Sequence, residues 1–587
     1  MIRSRALFVS LALSLLALSA GAGTRYVDAA LASGANDGSS WTNAYQGSNG
    51  LQLALTAAVS GDEIWVAQGS YEPTAGATRS IYFQLRNGVA IYGGFAGGEL
   101  TLDQRDVAAH VAILTADLNG DDGTTGFAEN SYHVVDASGT NATAVLDGFT
   151  VRGGNANLGS ANQDRGGGIL CVGGASPTVR NCIFRENRCT FGGGAGYINA
   201  SAPSFTDCRF ENNLGSNFGG AFDMATNVTA SFTRCVFSGN SAARAGGVEI
   251  FGSSTVKLTN CVFRNNTSTG SGGGGAIFIS SSSPVIRNCT IVGNHSTVNA
   301  TAGILASPLF AASNNLIYFN DGPGGAQNLV NNMSGVSCTY SCVQGGAAGT
   351  GNVSADPQLA NLGSGDVHLG PLSPCADAGS NPAVPVGTTT DLEGNPRFAD
   401  APGVPDTGLG SSPLVDIGAY ELQNTLYTLF CAGDGSLATP CPCGNTAPTG
   451  HGCLNSDFFS QGALLLAAGS ATPDTVVLTS SEMIASASCI FLQGNQQNAS
   501  GAVFGDGVRC VAGTLKRLYT KSASGGVASA PGVGDPSISA RSASLGDTIA
   551  PGSQRFYQVY YRDPAPSFCP SPQGNTWNIS SGVILNW

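Results

Sequence analysis

The chain has 587 residues, of which 83 are glycine and only 11% are charged, and its net charge is −13. That balance excludes nucleic acid and anionic lipid as partners, because both demand clustered Lys and Arg. The glycine follows no G-X-Y period and no polar low-complexity tract, so the composition is that of an ordered, turn-rich chain, long enough for several ordinary domains or one elongated repeat.

Met1 to Ala22 run from Arg3 and Arg5, through an apolar stretch from Ala6 to Leu18, to small residues at Ala20-Gly21-Ala22. That order is a secretory signal peptide, expected over residues 1–22, and the protein is expected outside the cell or in its envelope. With no second apolar stretch of about 20 residues, no integral membrane segment is expected.

Next, Leu51, Ala54, Leu55 and Ala58 recur at helical spacing and predict a short amphipathic helix, a plug for the N-terminal end of a strand-rich region. Ile64-Trp65-Val66 and Val89-Ala90-Ile91-Tyr92 read as strands, with irregular rungs starting near residue 60. The acidic stretch Asp117-Leu118-Asn119-Gly120-Asp121 offers the start of a calcium loop. Its glycine comes late and Ala128, with Glu129 beside it, stands at the twelfth position, so the EF-hand pattern fails. Calcium at Asp117, Asn119 and Asp121 is the one cofactor considered.

From about 147 to 320 a period of 26 to 28 residues dominates. Cys182, Cys208, Cys235, Cys261 and Cys289 recur in step. Phe184, Phe210, Phe237 and Phe263 follow each of the first four by two positions. Asn187, Asn213, Asn240, Asn266 and Asn294 keep a further fixed offset, and Asn320 ends a sixth, cysteine-free copy. Glycine pairs such as Gly193-Gly194 and Gly246-Gly247 separate the copies. Short β-branched runs between Gly, Asn and Ser clusters make each copy strand and turn, so stacking the copies about 4.8 Å apart closes a right-handed parallel β-helix. The columns then become ladders: Asn at the bends, where it accepts a left-handed backbone and bonds amide to amide, Phe on the axis, and Cys as a small buried hydrophobe. Equivalent Cβ atoms on parallel rungs are set too far apart for a disulfide, so the ladder cysteines are expected as free thiols.

Chemistry is sought on the outer faces. Lys257 is the only lysine of the regular coil, and Arg152, Arg165, Arg180 and Arg185 read as scattered, solvated residues. Asp223 and Glu249 stand three and two residues after their glycine markers, Gly220 and Gly247, which points them to opposite faces.

Beyond about 424 the period is lost and a new cysteine pattern enters: Cys431, Cys441, Cys443, Cys453, Cys489, Cys510 and Cys569. Runs such as Phe556-Tyr557-Gln558-Val559-Tyr560-Tyr561 between turns predict a small β-sandwich over 424–587. Cys338 with Cys342 and most of the final seven cysteines are expected in disulfides. Zinc on Cys441, Cys443, His451 and Cys453 is the alternative, and the Gly450-His451-Gly452 stretch reads as a turn.

The alternation of F-x-x-N with G-G-[AVI] resembles the repeat of polymorphic outer membrane proteins, a right-handed β-helix family of bacterial surfaces. The opening, with Tyr26-Val27-Asp28, Gly61-Asp62-Glu63-Ile64-Trp65-Val66 and Gly69-Ser70-Tyr71, looks like that of secreted pectate-lyase-like proteins. Asp391-Leu392-Glu393-Gly394-Asn395-Pro396-Arg397 with Val415-Asp416-Ile417-Gly418-Ala419-Tyr420-Glu421 is similar to the end of the choice-of-anchor group. These resemblances imply one β-helix module over 24–422. Unlike in the polymorphic proteins, no membrane β-barrel is expected after the repeat, and outer-membrane insertion is not expected. The sequence is read as a monomeric, non-catalytic β-helix protein that binds polysaccharide or protein surfaces, with a polysaccharide lyase or hydrolase, or a structural spacer, as the alternatives.

Overall fold

Each repeat forms one rung of a right-handed parallel β-helix, and the corners fall where residues accept a left-handed backbone. After Ile169–Cys171 and Thr178–Arg180, Asn181 (φ 52°) turns the chain into Ile183–Arg185, Glu186 (φ 57°) turns it into Arg188–Cys189, and Gly193 (φ 77°) opens the next rung at Gly196–Ile198. Strands pair in parallel with their counterparts one rung on: Ile169 with Gly196, Thr178 with Ser204, Ile183 with Arg209 and Arg188 with Leu214. The computed structural model describes residues 22–122, 126–160, 162–299, 301–323, 333–370, 373–401, 404–423, 427–457, 461–565, 568–569 and 576–587. The signal-peptide reading, Ala22 apart, lies outside them. Among the described residues no helix is long and apolar enough to cross a membrane.

The described chain divides into two compact units, one running to Ser231 and including Ser238–Val256, the other made of Phe232–Phe237 and Lys257–Trp587. In the first, strand Thr24–Asp28 already pairs in parallel with Glu63–Ala67, so rungs begin near residue 24 and not near 60. The expected helix spans Gly50–Ala57 and buries Leu51, Ala54 and Leu55. Inside the rungs, Cys182, Cys208, Phe184 and Phe210 are fully buried, and the two phenyl rings stack at 5.4 Å. Asn187 donates from Nδ2 to Asn213 Oδ1 (3.0 Å) and to Val151 O (3.0 Å); Asn213 donates to Asn240 Oδ1 (2.9 Å) and Phe184 O (2.9 Å). The backbone N–H groups of Asn187 and Asn213 also donate to the next rung's amide oxygen. The left-handed residues are Glu186, Asn212 and Gly239, one place before the ladder. The asparagines therefore do not make the bend as expected; they follow it, and their side chains turn inward to bond the cut ends of three rungs.

The second unit repeats this chemistry. Asn266 donates to Asn294 and Asn294 to Asn320, at 2.9 and 2.8 Å. Phe237 stacks on Phe263 at 4.3 Å. Cys235, Cys261 and Cys289 are buried free thiols, and Cys261 and Cys289 donate to the carbonyls of Thr259 and Arg287, two residues back, at 3.4 and 3.2 Å. Cys182 and Cys208 do the same toward Arg180 and Thr206 in the first unit. The thiol is thus a corner hydrogen-bond donor as well as a small apolar filler.

Strands continue through Ile304–Ser313, Met333–Thr339 and Cys342–Val343. A non-repeating segment then lies back on these rungs. Asn314 and Ser380 exchange hydrogen bonds of 3.0 and 2.8 Å, Gly418 N donates to Asn314 O, and Cys375, Ile417 and Ala419 share a buried cluster with Val262, Val292, Leu316 and Cys342. From Tyr427 the pairing turns antiparallel. Tyr427–Phe430, Trp577–Asn586, Gln554–Arg562, Ser488–Gly494 and Lys516–Ser522 form one sheet, and Leu464–Ala468, Val477–Ser481 and Ala528–Ala530 a second. One core holds Leu465 and Leu478 of the smaller sheet with Phe491, Tyr557, Val559 and Leu585 of the larger.

Disulfides join Cys431 to Cys510, Cys441 to Cys453 and Cys443 to Cys569. Six of the final seven cysteines are thus bonded and Cys489 is a buried free thiol, while Cys338 and Cys342, expected to be bonded, are also buried free thiols. Cys338 and Cys342 lie on strands either side of a corner, the one beside Ser341 and the other bonded to Ala355 O. Cys489 sits inside the apolar core between Lys521 and Tyr561 of the neighbouring strands.

Candidate functional site

Three outward columns of the first unit meet in an open pocket of about 440 Å³. The corner column carries Arg165, Gly192, Phe218 and Arg244, whose rungs are tied by the Gly166 N to Gly192 O bond and the Gly192–Phe218 and Phe218–Arg244 bridges. On the adjoining strands Tyr197 pairs with Asp223 and Asp223 with Glu249. Two residues further along the same strands come Asn199, Ala225 and Phe251, facing the same way because strand side chains alternate.

Asp223 and Glu249 therefore stand side by side on one face, which corrects the expectation that they diverge. The markers misled because the left-handed corner is Gly219 in one rung and Ala245 in the next. Gly246-Gly247 sits one place later than Gly219-Gly220, and counting from the glycines shifts the register by one.

Arg165 donates to Tyr197 Oη (3.0 Å) and Asp164 Oδ1 (3.1 Å), with its guanidinium 4.1 Å from the centre of the Phe191 ring. Arg244 grips both oxygens of Glu249 and lies 4.5 Å over Phe218. Phe191 and Phe218 meet edge to face at 5.0 Å. Between the two guanidinium groups lies Asp223, 6% exposed, and among the described residues no donor hydrogen-bonds its carboxyl. Burial, reinforced by the charge of Glu249 and opposed by the two arginines, pushes its pKa up to about 7. Glu249 is likewise raised by burial, against the pull of Arg244. Gly192 makes room for this arrangement: a Cβ there would lie 2.2 Å from Asp223 Oδ2.

The pocket thus offers ring faces, guanidinium N–H groups and one carboxyl that both donates and accepts near neutral pH. Neither arginine is a free base. Arg244 occupies both oxygens of Glu249, so the stacked carboxylates do not form an unencumbered acid and nucleophile.

The other arginines are also engaged. Arg105 and Arg180 both pair with buried Asp147, at 2.8 and 2.6 Å, and Arg152 approaches Asp122 at 4.0 Å. Arg185 is the exception: it lies beside Glu211 in the strand register, but Glu211 pairs with Arg209, and among the described residues the buried Nε of Arg185 has no hydrogen-bond partner. The Asp117 loop is closed on itself: Asp117 Oδ1 accepts from the amides of Asn119, Gly120 and Asp121, and Asn119 Nδ2 donates to Asp121 Oδ2. Glu129 joins this loop, with oxygens of Asp117, Asp121 and Glu129 within 4.8 Å of one another. Burial pushes Asp122 up to about 6. In the final domain Cys441, Cys443 and Cys453 are all in disulfides and His451 Nδ1 bonds Thr449 O, so that segment is a cross-linked turn with no thiolate for zinc.

Sequence reasoning missed Phe191, Tyr197, Phe218, Arg244 and Phe251. A search for sameness passes over a column that reads Arg, Gly, Phe, Arg in four successive rungs. The available signal was a β-register kept through Ala245.

A family model described as "Right handed beta helix region" matches residues 130–291 and 168–355, the first of which includes the pocket. No curated protein sequence matches the chain. Among solved structures, the crystal structure of pectate lyase Pel9A covers 68% of this chain and 96% of its own, at 15% identity and a TM-score of 0.39.

Proposed function

We propose that this β-helix protein binds hydroxyl-rich polysaccharide outside the cell and holds it without cutting it. The observation that carries the reading is the Arg165–Phe251 pocket, where aromatic faces adjoin charged hydrogen-bonding groups on consecutive rungs. A sugar ring needs that combination: an apolar face for its C–H groups and paired donors and acceptors for its hydroxyls. Two guanidinium groups stand against Asp223 and Glu249, so the charges nearly balance, which favours neutral sugars over uronates. The rung spacing of about 4.8 Å lets weak contacts sum along a chain laid across neighbouring rungs. Absence of cleavage rests on the same geometry, since Arg244 holds Glu249 and both arginines are engaged by acids and rings. Three disulfides suit an oxidising compartment. The repeat's resemblance to polymorphic outer membrane proteins fits attachment at a bacterial surface.

The test is affinity electrophoresis of the mature chain in gels holding neutral or acidic polysaccharides, with new reducing and unsaturated ends assayed in parallel. Retardation by neutral glycans that is lost in Phe191→Ala and Arg165→Ala, with no new ends, is expected. Unsaturated or reducing ends that disappear in Asp223→Asn would replace binding with cleavage. Retardation unchanged in all three variants would remove the pocket from the account.

A further inference from the structure

In the second unit, three segments converge on Asp377. Its backbone oxygen accepts from Thr407 N (3.1 Å) and Gly408 N (3.0 Å), its N–H donates to Asp416 Oδ1 (2.7 Å), and its Oδ2 accepts from Ala401 N (2.9 Å). The side chain is fully buried, yet Oδ1 has no hydrogen-bond partner. Exposed Asp400 and Asp406 bring carboxylate oxygens to within 4.8 Å of the Asp377 carboxylate and of each other.

The charge around this point is unbalanced. Asp391, Asp416 and Glu421 are buried nearby, and the cation among them is Arg397, also fully buried. Its Nη2 donates to the carbonyls of Asp416 (2.8 Å) and Gly418 (2.7 Å), and its Nε lies 3.6 Å from Glu421. Among the described residues no Lys or Arg pairs with Asp377, Asp400 or Asp406. A buried carboxylate oxygen without a donor is destabilising, and two further carboxylates beside it add repulsion that a cation would turn into attraction.

The geometry points to a divalent cation site formed by Asp377, Asp400 and Asp406, with calcium as the ion. All three donors are carboxylate oxygens, the hard ligands that calcium takes in flexible geometry, and the exposed pair leaves the remaining positions to water. The ion would tie the residues around Asp400 and those around Asp406 to the segment that begins at Cys375.

The experiment uses the full mature chain, stripped with chelator and titrated with calcium by calorimetry. The variant is Asp400→Asn/Asp406→Asn, both exposed and so compatible with folding. Asp121→Asn, in the acidic loop of the first unit, separates any calcium bound there. The double variant should bind one calcium fewer per chain than wild type, whatever Asp121→Asn does. In wild type, calcium should also slow hydrogen exchange at the amides of Ala401, Thr407 and Gly408, and this slowing should vanish in the double variant. Unchanged stoichiometry in the double variant, or no calcium bound by wild type, overturns the site.

Discussion

Replacing Asn213 by alanine isolates the contribution of one ladder amide. The side chain accepts from Asn187 N (3.1 Å) and Asn187 Nδ2 (3.0 Å) and donates to Phe184 O (2.9 Å) and Asn240 Oδ1 (2.9 Å). Two of these partners keep another bond, because Asn187 Nδ2 still reaches Val151 O and Asn240 Oδ1 still accepts from Asn213 N. The Phe184 carbonyl is a third, since it keeps its ladder bond to the next strand, and only the Asn187 amide loses its partner, at a site only 1% exposed. At about 1 kcal/mol for each of the three exchanged bonds and about 1–3 kcal/mol for the buried amide left short, the expected loss is roughly 4–6 kcal/mol. Neighbouring Asn212 offers the contrast, since it holds the left-handed corner (φ 54°) and its alanine variant should lose only about 1–2 kcal/mol. The final domain would mask either change in a global melt. The assay is therefore native-state hydrogen exchange read on peptides covering strands Arg209–Glu211 and Ser241–Arg244. A loss for Asn213→Ala no larger than that for Asn212→Ala would refute the claim that amide bonding between rungs, and not corner geometry, holds this column.

Asp223 has a folded-state pKa of about 7, above the unfolded carboxyl value of about 3.9. Its stabilising contribution is therefore present below the unfolded value and is lost as pH rises toward the folded one; the coil should weaken between about pH 4 and 7, and Asp223→Asn should flatten that fall in urea melts. Gly192→Ala should displace the Asp223 carboxyl and reduce glycan retardation, while Gly98→Ala, where an added Cβ meets nothing within 4 Å, should leave stability and retardation unchanged. Peptide mapping without reduction should recover Cys431–Cys510, Cys441–Cys453 and Cys443–Cys569, with Cys182, Cys208, Cys235, Cys261 and Cys289 alkylated only after denaturation. Reduction should unfold the final domain, where each bond contributes about 2–5 kcal/mol, before the coil loses its exchange protection.

The repeat was legible because columns of one residue type must stack: Cys, Phe and Asn at fixed offsets define inward positions whatever the rest of the rung does. The helix at Gly50–Ala57 was legible for the same reason, an apolar face with one destination. Corner chemistry was less so. Glu186, Asn212 and Gly239 share a left-handed backbone without sharing a side chain, so the only residue type that repeats near the bend is the asparagine one place after it. Ala245 in a glycine column moved the apparent register by one and separated two carboxylates that in fact adjoin. Cys338 and Cys342, close in sequence, are parted by a corner that their spacing does not reveal.

The asparagine ladder presents the same acceptor to the rung before it and the same donors to the rung after it, so it has no preferred copy number. Cutting out residues 187–212 would join Glu186 to Asn213 and rebuild the column with every bond type intact. The backbone would thus tolerate gain or loss of whole repeats, and as far as this column is concerned coil length is free to vary. The pocket is not. Its Gly192 and Tyr197 lie inside that excised stretch and its walls come from four dissimilar rungs, so a lineage that keeps the site must keep these repeats in number and in order.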